Sequence, residues 1–143
     1  MPQRMKDFGR LNSWRIYQTI TTTGDEVEGS VNITTTETNV LEILSQNYKV
    51  VTIESRNDDT TDAATFKIYG TRKYMETVPS TGDTFWDVTE PHWSLLNTQA
   101  AVAAATNATA VVHENQAFTY YVVTADADAN TVDIICRAVL SQN

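Results

Sequence analysis

Two histidines, one cysteine and 18 carboxylates are the side chains in this sequence around which acid–base or nucleophilic chemistry would have to be built. Ser-His-Asp or Cys-His catalysis needs a base beside the nucleophile and a third group to orient that base. His113 falls in the run Val111-Val112-His113-Glu114, which reads as a strand and makes it a surface or edge residue rather than a base. His92 follows Pro91 and precedes Trp93 in a loop-rich stretch. No G-x-S-x-G, H-E-x-x-H, Walker or dinucleotide-binding glycine pattern occurs, and five glycines leave little for a phosphate cradle. A glycosidase would need two convergent carboxylates, and nothing in the spacing singles out a pair. The expectation is a protein that is not an enzyme and uses no cofactor.

Metal chemistry has one candidate with suitable spacing. Asp126-x-Asp128-x-Asn130 places oxygens at alternate positions, like the opening of a calcium loop. The match fails further on, where Thr131 stands in place of the turn glycine and Arg137 in place of the bidentate glutamate. A hairpin turn rich in Asp and Asn accounts for the same letters by turn preference. The acidic stretch Asn57 to Asp62 is open to the same two readings. One cysteine and two separated histidines exclude a zinc site. Cys136 belongs to the alternating set Val132, Ile134, Cys136, Ala138, Leu140, which marks it as a buried small hydrophobe.

Aromatic side chains offer a third kind of site. Phe85, Trp86, His92 and Trp93 lie within an irregular stretch, residues 75–97, punctuated by Pro79, Gly82 and Pro91. Tryptophans in such a segment serve as core plugs, as a protein interface or as a platform for stacking sugars. Phe85, Trp86 and Trp93 are carried forward as candidate interface residues. A carbohydrate-binding module would use Trp86, Trp93 and a tyrosine as an exposed platform.

The elements that must position these residues are strands. In the segment Tyr48 to Tyr74, Lys49, Val51, Ile53 and Ser55 alternate with Val50, Thr52 and Glu54, and Phe66 and Ile68 alternate with Lys67 and Tyr69. Side chains alternate across a strand, so the segment predicts two strands closed as a hairpin by the polar loop after Asn57. Ala117 to Leu140 predicts a second hairpin of the same design, with Asp133 and Arg137 facing outward. Earlier strands are expected over residues 13–22 and from Val27 to Ile33, and the short run Asn39 to Leu44 reads as a buried strand or one helical turn, its length favouring the strand. Ser94 to Ala105 has the composition of a short helix with Ser94 as N-cap, or forms a loop or irregular strand. About eight strands, with turn signals every 8 to 14 residues or so, predict an all-β antiparallel β-sandwich, jelly-roll or Ig-like. A chain of 143 residues fits one such domain and buries roughly 70% of its unfolded surface without staples.

Charge is unevenly placed. Residues 1–15 hold Arg4, Lys6, Arg10 and Arg15 against Asp7, a net of +3, so with −8 overall the remainder carries −11. We therefore divide the chain into a basic, extended N-terminal arm, residues 1–15, and a β-sandwich domain, residues 16–143. An acidic body repels nucleic acid, whose recognition needs clustered Lys and Arg. No apolar run approaches the length of a membrane span. The arm's complement is an acidic protein surface, which another copy of the chain offers, with Phe8, Leu11 and Trp14 as anchors and Arg4, Lys6 and Arg10 as charge partners.

From Tyr48 to Leu140 the succession of "KVVTIESRN", "ATFKIYGTRK", the loop Thr84-Phe85-Trp86-Asp87-Val88 and "AFTYYVVTADADANTVDIICRAVL" resembles small phage virion proteins. It is similar in texture to capsid decoration or cement proteins. That resemblance implies a β-sandwich located in the virion that carries no chemistry, binds the major capsid protein or another virion subunit, and associates with itself, often as a trimer. Connector and tail subunits share the texture, and an adhesin or surface-layer module shares the composition.

Overall fold

The computed structural model describes residues 31–45, 49–80, 82–114 and 118–141. Residues 1–15, and the strand expected over residues 13–22, lie outside them. Nine strands occur among the described residues: β1 (Val31–Ile33), β2 (Thr38–Leu44), β3 (Val50–Asn57), β4 (Ala64–Thr71), β5 (Ser94–Val102), β6 (Thr106–Asn107), β7 (Val111–Glu114), β8 (Tyr120–Ala127) and β9 (Val132–Ser141).

Every pairing is antiparallel. One sheet has the order β1-β9-β3-β6, with β7 sharing the β6 edge of β3; the other runs β2-β8-β4-β5. The pairings nest: β1 with β9, β2 with β8, β3 with β7 and β6, β4 with β5. Two sheets folded by that nesting, with β6 and β7 as two halves of one strand, form a jelly roll. The chain is an antiparallel β-sandwich.

Alternation correctly gives the buried faces. Val51, Ile53, Ser55 and Asn57 of β3 are buried, as are Ala64, Phe66 and Ile68 of β4, and Val132 through Leu140 at every second position of β9. The expected hairpins are not formed, however. β3 and β4 belong to different sheets, and so do β8 and β9. Their apolar faces oppose one another across the core instead of lying side by side on one face. The loop after Asn57 is therefore an arch spanning the gap of about 10 Å between packed sheets. Buried Asn57 holds the arch's base: its Nδ2 donates to Asp62 O at 2.9 Å and Val102 O at 2.8 Å, and its Oδ1 accepts from Asp59 N at 2.9 Å.

Ser94 to Val102 is a strand, and the helical alternative is corrected accordingly. Pairing with β4 overrides the local preference of its alanines, at the expense of two register shifts. The strand ends where Ala101 takes φ 51°, in the left-handed region unfavourable for a residue with a Cβ.

Candidate functional site

The irregular segment between β4 and β5 is folded down onto the outer face of the four-stranded sheet. Asp83 caps a single 3-10 turn, Thr84–Trp86, by accepting from Phe85 N at 2.8 Å. Phe85, Trp86 and Trp93 are only 5%, 2% and 7% exposed, packed with Tyr120 and Val122 of β8 into a second apolar cluster. Trp93 Nε1 donates to Phe85 O at 2.7 Å and Trp86 Nε1 to Pro79 O at 3.3 Å, so neither indole is left with an unmet polar atom. His92 stacks on Phe85 with ring centroids 4.9 Å apart and places Nε2 3.2 Å from Phe85 O, which calls for the proton on Nε2.

This plug decides among the three readings of the aromatic stretch. The candidate interface residues Phe85, Trp86 and Trp93 fill the chain's own fold, so their rings are not on the surface. The exposed sugar platform of Trp86 and Trp93 is overturned for the same reason. The remaining candidates, Arg4, Lys6, Phe8, Arg10, Leu11 and Trp14, lie outside the described residues.

Between the plug and edge strand β2 lies an open cleft of about 530 Å³. Its lining includes the carboxylates of Glu37, Glu42, Asp83 and Asp87, and no lysine or arginine among the described residues. Glu42 is the unusual member, 5% exposed on the outer face of β2. Asn39 Nδ2 donates to Glu42 Oε2 at 2.9 Å and to Trp86 O at 2.8 Å, tying strand to plug. Glu42 Oε1 is buried and has no hydrogen-bond partner among the described residues. Burial pushes the Glu42 carboxyl above the usual range, and the Asn39 bond only partly offsets it.

The other carboxylates of the cleft are better served. Glu37 accepts from Thr124 Oγ1 at 2.6 Å and from Tyr69 Oη at 2.9 Å, and Lys67 Nζ lies 3.7 Å from it. The Tyr69 hydroxyl, pushed up to about 12 by burial and then by Glu37, stays protonated and remains a donor. Asp87 accepts from Thr89 N and Oγ1, which hold its carboxyl below the usual range.

Elsewhere the reactive residue types serve packing and turns. The Cys136 thiol is buried against Ser55 and pushed up to about 12 by desolvation, so it is not a thiolate at neutral pH. His113 stands on β7, where β7 borders β3, with its ring 5.4 Å from Tyr121; burial lowers its pKa, and Nε2 has no partner among the described residues. Asp59 Oδ2 accepts from Thr61 N and Asp62 N, and Asp128 Oδ1 accepts from Thr65 Oγ1. The two acidic loops meet through Asn130 Nδ2 and Asp62 Oδ2, 3.2 Å apart. Several of their oxygens are engaged locally, and among the described residues no three His, Cys, Asp or Glu side chains are grouped to hold a metal. A second hollow, of about 480 Å³ beside β3 and β9, contains its own counter-charges: Glu54 pairs with Arg137, and Arg56 with Asp58.

Glu42 is the residue that the sequence reading passed over, within the run Asn39 to Leu44. The available signal was a lone carboxylate amid Val40, Leu41, Ile43 and Leu44, four apolar neighbours on a strand.

No family model matches the sequence, and no curated protein matches it. Among solved structures the chain is similar to the SPBc2 prophage-derived protein YomS, with a TM-score of 0.41 and 10% identity over 81% of this chain and 96% of that one. It is also similar to chitosan-binding module 1 of a chitosanase/glucanase from Paenibacillus sp. IK-5, with a TM-score of 0.35 and 9% identity over 79% of this chain and 93% of the module.

Proposed function

We propose that the chain is a non-enzymatic structural subunit of a virion, a capsid decoration or cement protein that binds the major capsid protein and neighbouring copies of itself. A head–tail connector or tail subunit is the same reading at another place in the particle. The observation that carries it is the segregation of charge: a +3 arm in residues 1–15 joined to a body of −11. Opposite charge on two parts of one chain favours head-to-neighbour contact, sets its orientation and raises its on-rate. The location of the reactive types supports it further, since Cys136, His92 and both plug tryptophans are engaged in packing. The virion setting rests on the resemblance of the segment Tyr48 to Leu140 to small virion proteins.

Particles released from cells that carry the gene, purified and separated into their proteins, test this directly. The reading expects the chain in the particle in a fixed ratio to the major capsid protein. Its absence from intact particles, with the chain found at the cell surface instead, would overturn the virion assignment in favour of an adhesin.

A further inference from the structure

We infer that the side of the sandwich formed by β5, β6 and β7 is a contact surface for the same side of a second copy of this chain. The inference rests on the reading above, that copies bind one another, and names a surface of the body for that contact. Residues 91–113 contain no Asp, Glu, Lys or Arg, although 20% of the chain is charged. The fold gathers that run in one place. Among the described residues β5 is an edge of the four-stranded sheet, and β6 and β7 share an edge of the five-stranded one. Gln99 Nε2 joins the two edges by donating to Thr109 O at 2.6 Å. Leu95 of β5 and Val112 of β7, one at each rim of this side, are 53% and 50% exposed. The opposite side, where β1 and β2 are the edges, carries Asp133 beside β1 and Glu37 beside β2.

Charge chooses the occupant. Beyond residues 1–15 the sequence sums to −11, so two copies repel wherever charged faces of their bodies meet. A partner of opposite sign would be met by carboxylates; a partner of the same sign calls for a surface free of charge. Edge strands are ordinarily guarded against pairing by Lys, Pro or bulges. Residues 92–113 hold neither Lys nor Pro, and β5 keeps only its two register shifts, which interrupt any continuous ladder across the contact. The copies therefore meet through side chains. Leu95 and Val112 are the apolar anchors, and exposed short residues such as Thr98, Ala100 and Ala110 permit close approach. Glu114, at the end of β7, bounds the surface. Edges and short side chains make a small contact, which holds in company with the arm and not alone.

The test is cross-linking of single-cysteine variants of the full-length chain at low salt with a short bis-maleimide, since the native Cys136 is buried and stays silent. Thr98→Cys and Ala110→Cys place a thiol on the inferred surface, and Thr36→Cys, exposed between β1 and β2, places one away from it. The first two are expected to give covalent dimers at least tenfold faster than the third. Sedimentation equilibrium of a chain carrying Leu95→Glu and Val112→Glu, checked for an unchanged circular dichroism spectrum, is the second measurement. Self-association at least tenfold weaker than that of the wild type is expected. Equal cross-linking of all three thiols would overturn the surface, as would wild-type association of the Glu variant. The same thiols in purified particles, joined only to a different virion protein, would overturn the occupant. An oligomer weakened by Gln at Arg4, Lys6 and Arg10 but untouched by the Glu pair overturns this inference and spares the proposed function. A chain that neither self-associates nor enters particles overturns both.

Discussion

At the scale of single residues, Glu42 and Asn39 form a coupled pair in which one buried carboxylate oxygen goes unmet among the described residues. Removing Asn39 would leave a second Glu42 oxygen and the Trp86 carbonyl without their donor. Asn39→Ala is expected to lower stability by about 1–3 kcal/mol in urea unfolding, the usual penalty for buried polar groups left unmet. Glu42→Gln works in the opposite direction, because it removes a buried charge while keeping an acceptor for Asn39. The sign follows from its raised pKa. A carboxyl that holds its proton more tightly in the fold stabilises fully below its unfolded pKa, and that contribution is lost as pH rises through the higher folded value. The stability difference between Glu42→Gln and wild type should therefore be smallest near pH 4 and grow towards neutrality. Asp59 and Asp87, whose pKa values are lowered by their turn hydrogen bonds, titrate alike in both proteins and cancel. A difference constant from pH 4 to pH 8 would contradict this account of Glu42. Cys136 gives a simpler check: with its thiol buried and shifted to about 12, it should react with a thiol reagent only as the chain unfolds.

At the scale of elements, the plug and the arches carry the argument. Trp86→Ala would empty a site facing Phe85, Trp93 and Tyr120, and is expected to lower stability by about 3–5 kcal/mol in urea unfolding. Gly70 is a subtler case. A Cβ there would stand 2.8 Å from Leu96 Cδ1 and 2.9 Å from Phe118 Cδ1, so Gly70→Ala should lower stability by about 1–3 kcal/mol. Period-two alternation made β3, β4 and β9 legible in the sequence, down to the outward Asp133 and Arg137. Alternation says which face of a strand is buried but not which strand lies beside it, so two arches read as hairpins. The alanines from 100 to 105 suggested a helix because propensity is local, whereas β5 is held by β4. The core role of Trp86 was one of three open readings, and only the position of β8 beneath it decides. Glu42 was hidden because one carboxylate in an apolar strand looks like an exposed position until the plug is placed over it.

For the whole molecule, the proposed function rests on opposite signs of charge, +3 in residues 1–15 and −11 in the remainder of the sequence. Contacts of that kind are screened by salt, since exposed charges lose their attraction beyond about 8–10 Å at physiological ionic strength. The most direct measurement is sedimentation equilibrium of the full-length chain at low and at high salt, beside a variant with Arg4, Lys6 and Arg10 replaced by Gln. We predict a discrete oligomer of the wild-type chain at low salt that dissociates as salt rises and is weakened by the variant. A wild-type chain that remains monomeric at every concentration and every salt would contradict the proposal that the chain binds neighbouring copies of itself.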